Sequence, residues 1–326
     1  MSGGKAMTLP RRLKKWFGKL APGKRHSVSH DTVMRDSSRL SSVNLAARVL
    51  ETDSFARSLD PKPLRAESVS PILVLAPHQD DEVIGAGGTR LLAKRAGCDI
   101  CISFATDGGP KPGSPSVELY GSAENYIAAR NAEAARVCDA LGAEMHQLGI
   151  SNAAPEPSVD DLDGLADLME RVSPRALLVP WLLDGAPKHR MVNHLLWLAN
   201  ARRPLPACEV WGYQVNNTLL ANGYVDITEV IEEKRKLIEI YASQNSYLRR
   251  YDHQTIGLNA WNSRYIESKE AARKAYYVEA FSTAPLVEHL DLIERFYFQN
   301  LEQTYLGYRR VIEGMTALHR EVQGVR

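Results

Sequence analysis

Five consecutive residues, His78-Gln79-Asp80-Asp81-Glu82, bring one imidazole and three carboxylates together. Like charges at that spacing repel unless a cation or bound protons intervene. A divalent metal resolves the conflict. Imidazole and carboxylate donors suit zinc, with iron or cobalt as alternatives. His78 and Asp81, three positions apart, can grip the same ion. A catalytic centre needs three protein ligands and one open position, so a third must come from elsewhere in the chain. His189, which follows Pro180-Trp181-Leu182-Leu183-Asp184, is the natural candidate. Water on such a metal becomes hydroxide near neutral pH, but amide cleavage also needs a base and a proton donor for the departing amine. Asp80, beside Asp81 and not needed for coordination, fits the base. The competing reading is an acidic helix N-terminus whose carboxylates meet the dipole while His78 caps or packs.

Such residues need elements that bring them to one place. Ile72 to Ala76 is a continuous apolar run, the pattern of a strand buried on both faces, and it ends directly at Pro77-His78. Further strands are expected at Ile100 to Thr106, Glu144 to Leu148, Ala176 to Trp181 and Glu209 to Val215. Helical patterns lie between them at Glu82 to Lys94, Ala123 to Leu141, Asp160 to Val172 and Arg190 to Ala201. This alternation predicts an α/β fold, a mostly parallel sheet flanked by helices. Ligands of such sheets sit beyond the carboxyl ends of the strands, where His78 to Glu82, Asp107 and Asp184 to His189 all fall. After Thr228 the pattern predicts a helix over Glu229 to Ser243, a loop holding His253 and Trp261, and helices over Arg264 to Phe281 and from Leu286 onward. The expected division is an arm over 1–69, a catalytic domain over 70–285 and a helical extension over 286–326.

Composition narrows the class. The 326 residues are 44% hydrophobic and 24% charged, ordinary for a globular chain with a sizeable core. Forty basic against thirty-nine acidic residues leave no global pull toward nucleic acid. Cys98, Cys101, Cys138 and Cys208 are too scattered for a disulfide framework, and Cys98 and Cys101 flank a strand start instead of opening a helix, so no redox role is assigned. With no apolar run long enough to span a bilayer and no secretory signal pattern, a cytoplasmic location is expected. One segment stands apart: Met7 to Leu20 spaces Leu9, Leu13, Trp16, Phe17 and Leu20 helically among five basic residues. Such a helix can lie on an anionic membrane, or pack on its own domain or on a twin subunit.

Pro77-His78-Gln79-Asp80-Asp81-Glu82 followed by Gly85-Ala86-Gly87-Gly88 resembles the opening motif of the PIG-L (LmbE-like) family of zinc de-N-acetylases. Thr106-Asp107-Gly108, Arg130 with Glu133, Leu141-Gly142, and Lys234 with Ser243-Gln244 are similar to later parts of the family pattern. The resemblance spans roughly Ser70 to Phe281 and implies an LmbE-like, Rossmann-type sheet with one zinc. It also implies hydrolysis of the N-acetyl group of an amino sugar in a glycan, glycolipid or glycoside. In it His78 and Asp81 are metal ligands, Asp80 is the general base and His189 is the last histidine of a His-Pro-Asp-His motif. The glycines following the cluster could be misread as a dinucleotide loop, but the acidic cluster occupies the place where that fingerprint needs them, directly after the strand.

Two departures matter. Gln79 replaces a proline, which removes no functional group. Ala186 stands where the family has a histidine that protonates the leaving group or stabilises the oxyanion. His253 ahead of Lys188 is the candidate for that vacated role, with water or the substrate itself as the alternative, and His194, five residues after His189 on the same expected helix, points away and reads as structural. Arg130, near a Gly/Pro/Ser-rich loop, suits sugar hydroxyls or a phosphate, or else pairs with Glu133 or Glu124. Asp107 can bind a sugar hydroxyl, support a ligand histidine, or cap its turn. Trp181 and Trp261 could stack on a sugar, with core packing the default for Trp181. The alternatives are another amide or thiol-conjugate hydrolase, or, given Ala186, an inactive sugar-binding module; retention of Asp80 with three ligands argues for turnover.

Overall fold

The computed structural model describes residues 61–111, 113–216, 219–244, 250–266, 274–298 and 300–324. The amphipathic segment 7–20 and most of the expected arm, residues 1–60, lie outside these residues.

Eight strands form one sheet: β1 (Lys62–Pro63), β2 (Ile72–Ala76), β3 (Ile100–Thr106), β4 (Glu144–Ile150), β5 (Ala176–Pro180), β6 (Glu209–Tyr213), β7 (Gly223–Asp226) and β8 (Val278–Pro285). Their order is β1-β7-β8-β6-β5-β2-β3-β4. The run β6-β5-β2-β3-β4 is parallel throughout. β8 is antiparallel to both neighbours. Chain order reverses between β2 and β5, and at such a switch point the loops leaving two adjacent strands diverge and open a crevice.

Ile72, Val74 and Ala76 enter one core while Leu73 and Leu75 enter the other, and on β5 Ala176 and Leu178 oppose Leu177 and Val179 in the same way. Each buried Ile, Leu or Val among them stabilises the fold by about 1.5–3 kcal/mol. One face is covered by α1 (Asp81–Arg95), α3 (Ala123–Leu141) and α6 (Ile231–Ile240). The other carries α4 (Val159–Val172), α5 (Pro187–Arg202), α8 (Leu286–Tyr297) and α10 (Arg309–Gly324). The remaining helices are α2 (Pro115–Tyr120), α7 (Tyr251–Asn262) and α9 (Leu301–Thr304). Local chemistry sets the ends: Ser122 caps α3, which stops at left-handed Gly142, and Ser158 with Asp161 forms a capping box on α4.

The structure corrects the late chain. Tyr251–Asn262, expected as a loop, is helix α7. The helix expected over Arg264 to Phe281 gives way to strand β8 from Val278, whose Val278, Ala280 and Phe281 are buried. The first paired segment, Lys62–Pro63, also precedes Ser70. The glycines of α1 allow close packing: a Cβ on Gly85 would collide with the Tyr213 ring, and one on Gly88 would lie 2.7 Å from Ile227.

Candidate metal centre and active site

β2 and β5 leave the sheet side by side and deliver the two halves of one cluster. Donor atoms of His78, Asp81 and His189 all lie within 4.8 Å of one another. His78 Nδ1 is 2.9 Å from Asp81 Oδ2, and His189 Nε2 is 3.3 Å from the same oxygen. Around a tetrahedral ion with bonds of about 2.0–2.1 Å, ligand atoms stand about 3.3 Å apart, so the two imidazole–carboxylate separations fit.

The far nitrogen of each ring has its own acceptor. His78 Nε2 faces Asn152 Oδ1 at 3.0 Å, and His189 Nδ1 faces Asp184 Oδ1 at 3.1 Å. These partners set the tautomers that leave His78 Nδ1 and His189 Nε2 free to ligate, the usual support behind a metal-bound histidine. Asp184 is itself held by the amides of Ala186 and Asn216. Asn152 donates to Gly109 O at 2.6 Å, and its own amide N–H reaches Asp107 Oδ1 at 2.8 Å.

Electrostatics agree with the donor set. Burial alone would lift Asp81, but the His189 and His78 imidazoles hold it well below the carboxylate range. Against burial, Asp81 and Asp184 raise His189 well above its ordinary value. Burial pushes His78 down, toward the neutral form a metal requires. A proton on His189 thus does the compensating work that a divalent cation could take over, and the residues present suit such an ion.

Asp80 occupies the junction of β2 and α1 with φ 137° and ψ −32°, a strained backbone for any residue with a side chain. It is the N-cap residue of α1, yet its side chain makes no capping bond. The strain is held by Glu82, whose carboxylate accepts the Asp80 N–H at 2.9 Å and the Tyr241 hydroxyl at 2.5 Å. Burial and the Asp81 carboxylate push Asp80 well up, while the Arg130 guanidinium, 3.5 Å away, pulls it down.

Arg130 therefore lies against Asp80 and the backbone oxygens of Gly108 and Gln79, in place of the Glu133 or Glu124 pairing considered from sequence. Glu133 instead binds Ser243 through its N–H and hydroxyl. Asp107 holds the Gly109 and Asn152 amides, supporting His78 at one remove. Lys188, 8% exposed, donates to both O and Oδ1 of Asn152, and burial brings its ammonium down to about 8. The structure does not bring His253 into this network: it is exposed on α7, and its ring bonds none of these residues. His194 is buried against Tyr305, as a structural residue should be, and Trp181 is buried while Trp261 is exposed.

Sequence reasoning missed Asn152 and the orienting role of Asp184. The expected end of β4 at Leu148 hid Asn152, because the strand runs on through left-handed Gly149 to Ile150. An open groove of about 600 Å³ is lined by Leu64, Leu92, Arg95 and Tyr224 at the far end of α1, away from these donors.

The family model described as PIG-L: GlcNAc-PI de-N-acetylase matches residues 73–200. A diacetylchitobiose deacetylase of Thermococcus kodakarensis is 26% identical over 192 residues, 54% of this chain and 70% of that protein. Among solved structures, an N,N'-diacetylchitobiose deacetylase from Pyrococcus horikoshii superposes with a TM-score of 0.57 at 20% identity, covering 75% of this chain and 94% of that one. A 4-carboxy-2-hydroxymuconate hydratase from Pseudomonas putida reaches 0.53 at 21% identity, covering 65% and 95%. At these identities the solved structures establish the fold, an LmbE-like mostly parallel sheet flanked by helices, and the PIG-L family model matches residues 73–200 within it.

Proposed function

We propose that this protein is a metal-dependent hydrolase that removes the N-acetyl group from an N-acetylated amino sugar. The observation that carries the reading is the His78, Asp81 and His189 donor set with Asp80 beside it, strained and unspent on capping. The relatives whose names specify deacetylation of diacetylchitobiose support the substrate class.

His78, Asp81 and His189 would hold the ion, with zinc the best match to two imidazoles and one carboxylate and iron or cobalt the alternatives. When bound, the ion supplies Lewis-acid polarisation and lowers the pKa of water. Asp80 takes a proton from the attacking water and returns it to the departing nitrogen, with Arg130 keeping the carboxylate oriented. Asn152 and Asp184 fix the two imidazoles. The Asp107–Gly109–Asn152 bonds tie the loop after β3 to the site, where a sugar would sit. The site makes no demand for nucleic acid. A second copy of the chain and an anionic membrane met by residues 7–20 are further partners consistent with the sequence.

The test is acetate release from a panel of N-acetylglucosamine derivatives by protein loaded with zinc, iron or cobalt, with and without chelator. Chelator-sensitive release, lost together with bound metal in His189→Ala, is expected. Stoichiometric metal without release from any N-acylated sugar would leave a binding module, and absence of metal after reconstitution would sink the hydrolase reading.

A further inference from the structure

A buried ammonium normally sits against a carboxylate, because an unpaired charge in a low-dielectric site costs several kcal/mol. Lys188 breaks that rule. It is 8% exposed, and among the described residues no carboxylate lies within ion-pair distance of its Nζ. Its two hydrogen bonds both go to neutral oxygens of one residue, the backbone O and the Oδ1 of Asn152. An ammonium has three N–H groups, so one is unspent by these bonds. The neighbouring charges it feels include the cations Lys111 and Arg130, and the opposing Asp107 is engaged with the amides of Gly109 and Asn152.

The head of Lys188 belongs to the metal cluster's own surroundings. Asn152 Oδ1 accepts from Lys188 and also faces His78 Nε2 at 3.0 Å, and the Lys188 charge acts on the His78 ring. Lys188 precedes His189 in the first turn of α5, so the helix fixes both side chains together. Arg130, the other buried cation here, is committed to Asp80, Gln79 and Gly108. His253 is exposed, and His194 turns to Tyr305.

We infer that Lys188 is a catalytic residue whose fixed positive charge receives the negative charge developing on the acyl oxygen of the substrate. The inference rests on the hydrolase reading above. Water oxygen bonds to the acyl carbon, the carbonyl π pair moves onto the acyl oxygen facing the ammonium, and the water proton goes to Asp80. The pair then returns, the C–N bond breaks, and the nitrogen leaves with that proton, giving an amine and a carboxylic acid that loses the remaining water proton to solvent. Lys188 keeps its own proton throughout. A cation preorganised where charge appears only in the transition state raises kcat without tightening substrate binding.

The experiment compares wild type, Lys188→Met and Lys188→Arg, each loaded with metal and checked for metal content and thermal unfolding. Methylphosphonate, with a methyl group and three tetrahedral oxygens, mimics the acetyl centre under attack, and its binding is measured by calorimetry alongside turnover. The expected result is a fall in kcat of about 10²–10³-fold in Lys188→Met with KM and metal content unchanged. Methylphosphonate affinity should fall at least about tenfold with it, and Lys188→Arg should keep most of both. Unchanged kcat, a loss carried wholly by KM, loss of metal, or methylphosphonate binding that is absent in wild type or indifferent to Lys188 would each overturn the assignment. Should wild type bind methylphosphonate through Lys188 yet hydrolyse no N-acyl sugar, the hydrolase reading fails separately and the catalytic role with it, leaving an anion site. If Lys188→Met does not fold, Lys188→Gln replaces it in the same measurements.

Discussion

Lys188 and Lys234 are both buried, 8% and 0% exposed, and they are solved in opposite ways. Lys234 donates to Glu279 at 2.6 Å, to Asn259 Oδ1 at 2.8 Å and to Ile84 O at 3.0 Å. Glu279 in turn accepts from Gly88 N, Thr89 N and Thr89 Oγ1. Those amides are offered because α1 kinks at Ala86, whose backbone is non-helical. Lys234 and Glu279 match each other's charge, and the network pins the kinked helix that carries Asp81. Around Lys188 the matching is incomplete, Asp80 is strained, and Asp81 and His189 share compensation that a cation could provide. A fold can hold an unmatched region at its strand ends because the matched one beneath it stays rigid.

The contrast breaks first at Asp80. Asp80→Asn removes the proton acceptor while preserving shape, and turnover should fall about 10²–10⁴-fold with metal content unchanged, read by acetate release and elemental analysis. The matched region should fail differently. Lys234→Met leaves the buried Glu279 charge without its counter-ion, and the expected cost is about 3–5 kcal/mol in urea unfolding. Adding Glu279→Gln to that variant should recover part of the loss. Lys188→Met, which deletes an unpaired charge, should be neutral or stabilising in the same assay. Equal destabilisation by the two lysine variants would erase the distinction between the regions.

The sequence made the parallel strands readable because residues such as Ile72 to Ala76 must be apolar on both faces, and their ends then located His78, Asp81, Asp107 and His189. It could not reveal β8 or α7. Val278 to Pro285 mixes apolar with polar residues, since Glu279 is spent on the α1 kink and Ser282 lies toward the strand's less buried end. His253 looked available in a polar stretch, yet the helix leaves its ring exposed. Asn152 was hidden by a one-strand-end error at Gly149, and Arg130's pairing with Asp80 joins residues fifty positions apart that no local pattern links. What stayed illegible is what depends on the third dimension: which polar group ends up facing which.

Smaller effects sharpen the unmatched side. Asp184→Asn keeps an oxygen near His189 Nδ1 but removes its charge, and metal affinity should fall about 10–100-fold in a competitive chelator titration, with His78 and Asp81 still in place. A variant that bound metal as well as wild type would mean that the Asn216 and Ala186 contacts alone hold the loop.

The smallest expected effect lies in the core that joins α5 to the C-terminal helices. His194, bonded to Tyr305, and His289, bonded to Asn193, are buried and pushed down by desolvation to about 3 and about 4. Both are neutral in the folded state, whereas in the unfolded chain they titrate near 6.5. Depressed histidine values mean that the unfolded state binds protons first, so this part of the stability is intact above about pH 6.5 and is lost as pH falls toward the folded values. Between pH 6.5 and 5.5 each histidine should cost about 1 kcal/mol, in a window above the range where most carboxylates titrate. Urea unfolding across that window in wild type, His194→Phe and His289→Phe reads the slope directly. Each replacement should flatten it by its own share, whatever it does to stability at neutral pH. An unchanged slope in both would mean that these rings already accept protons in the folded protein.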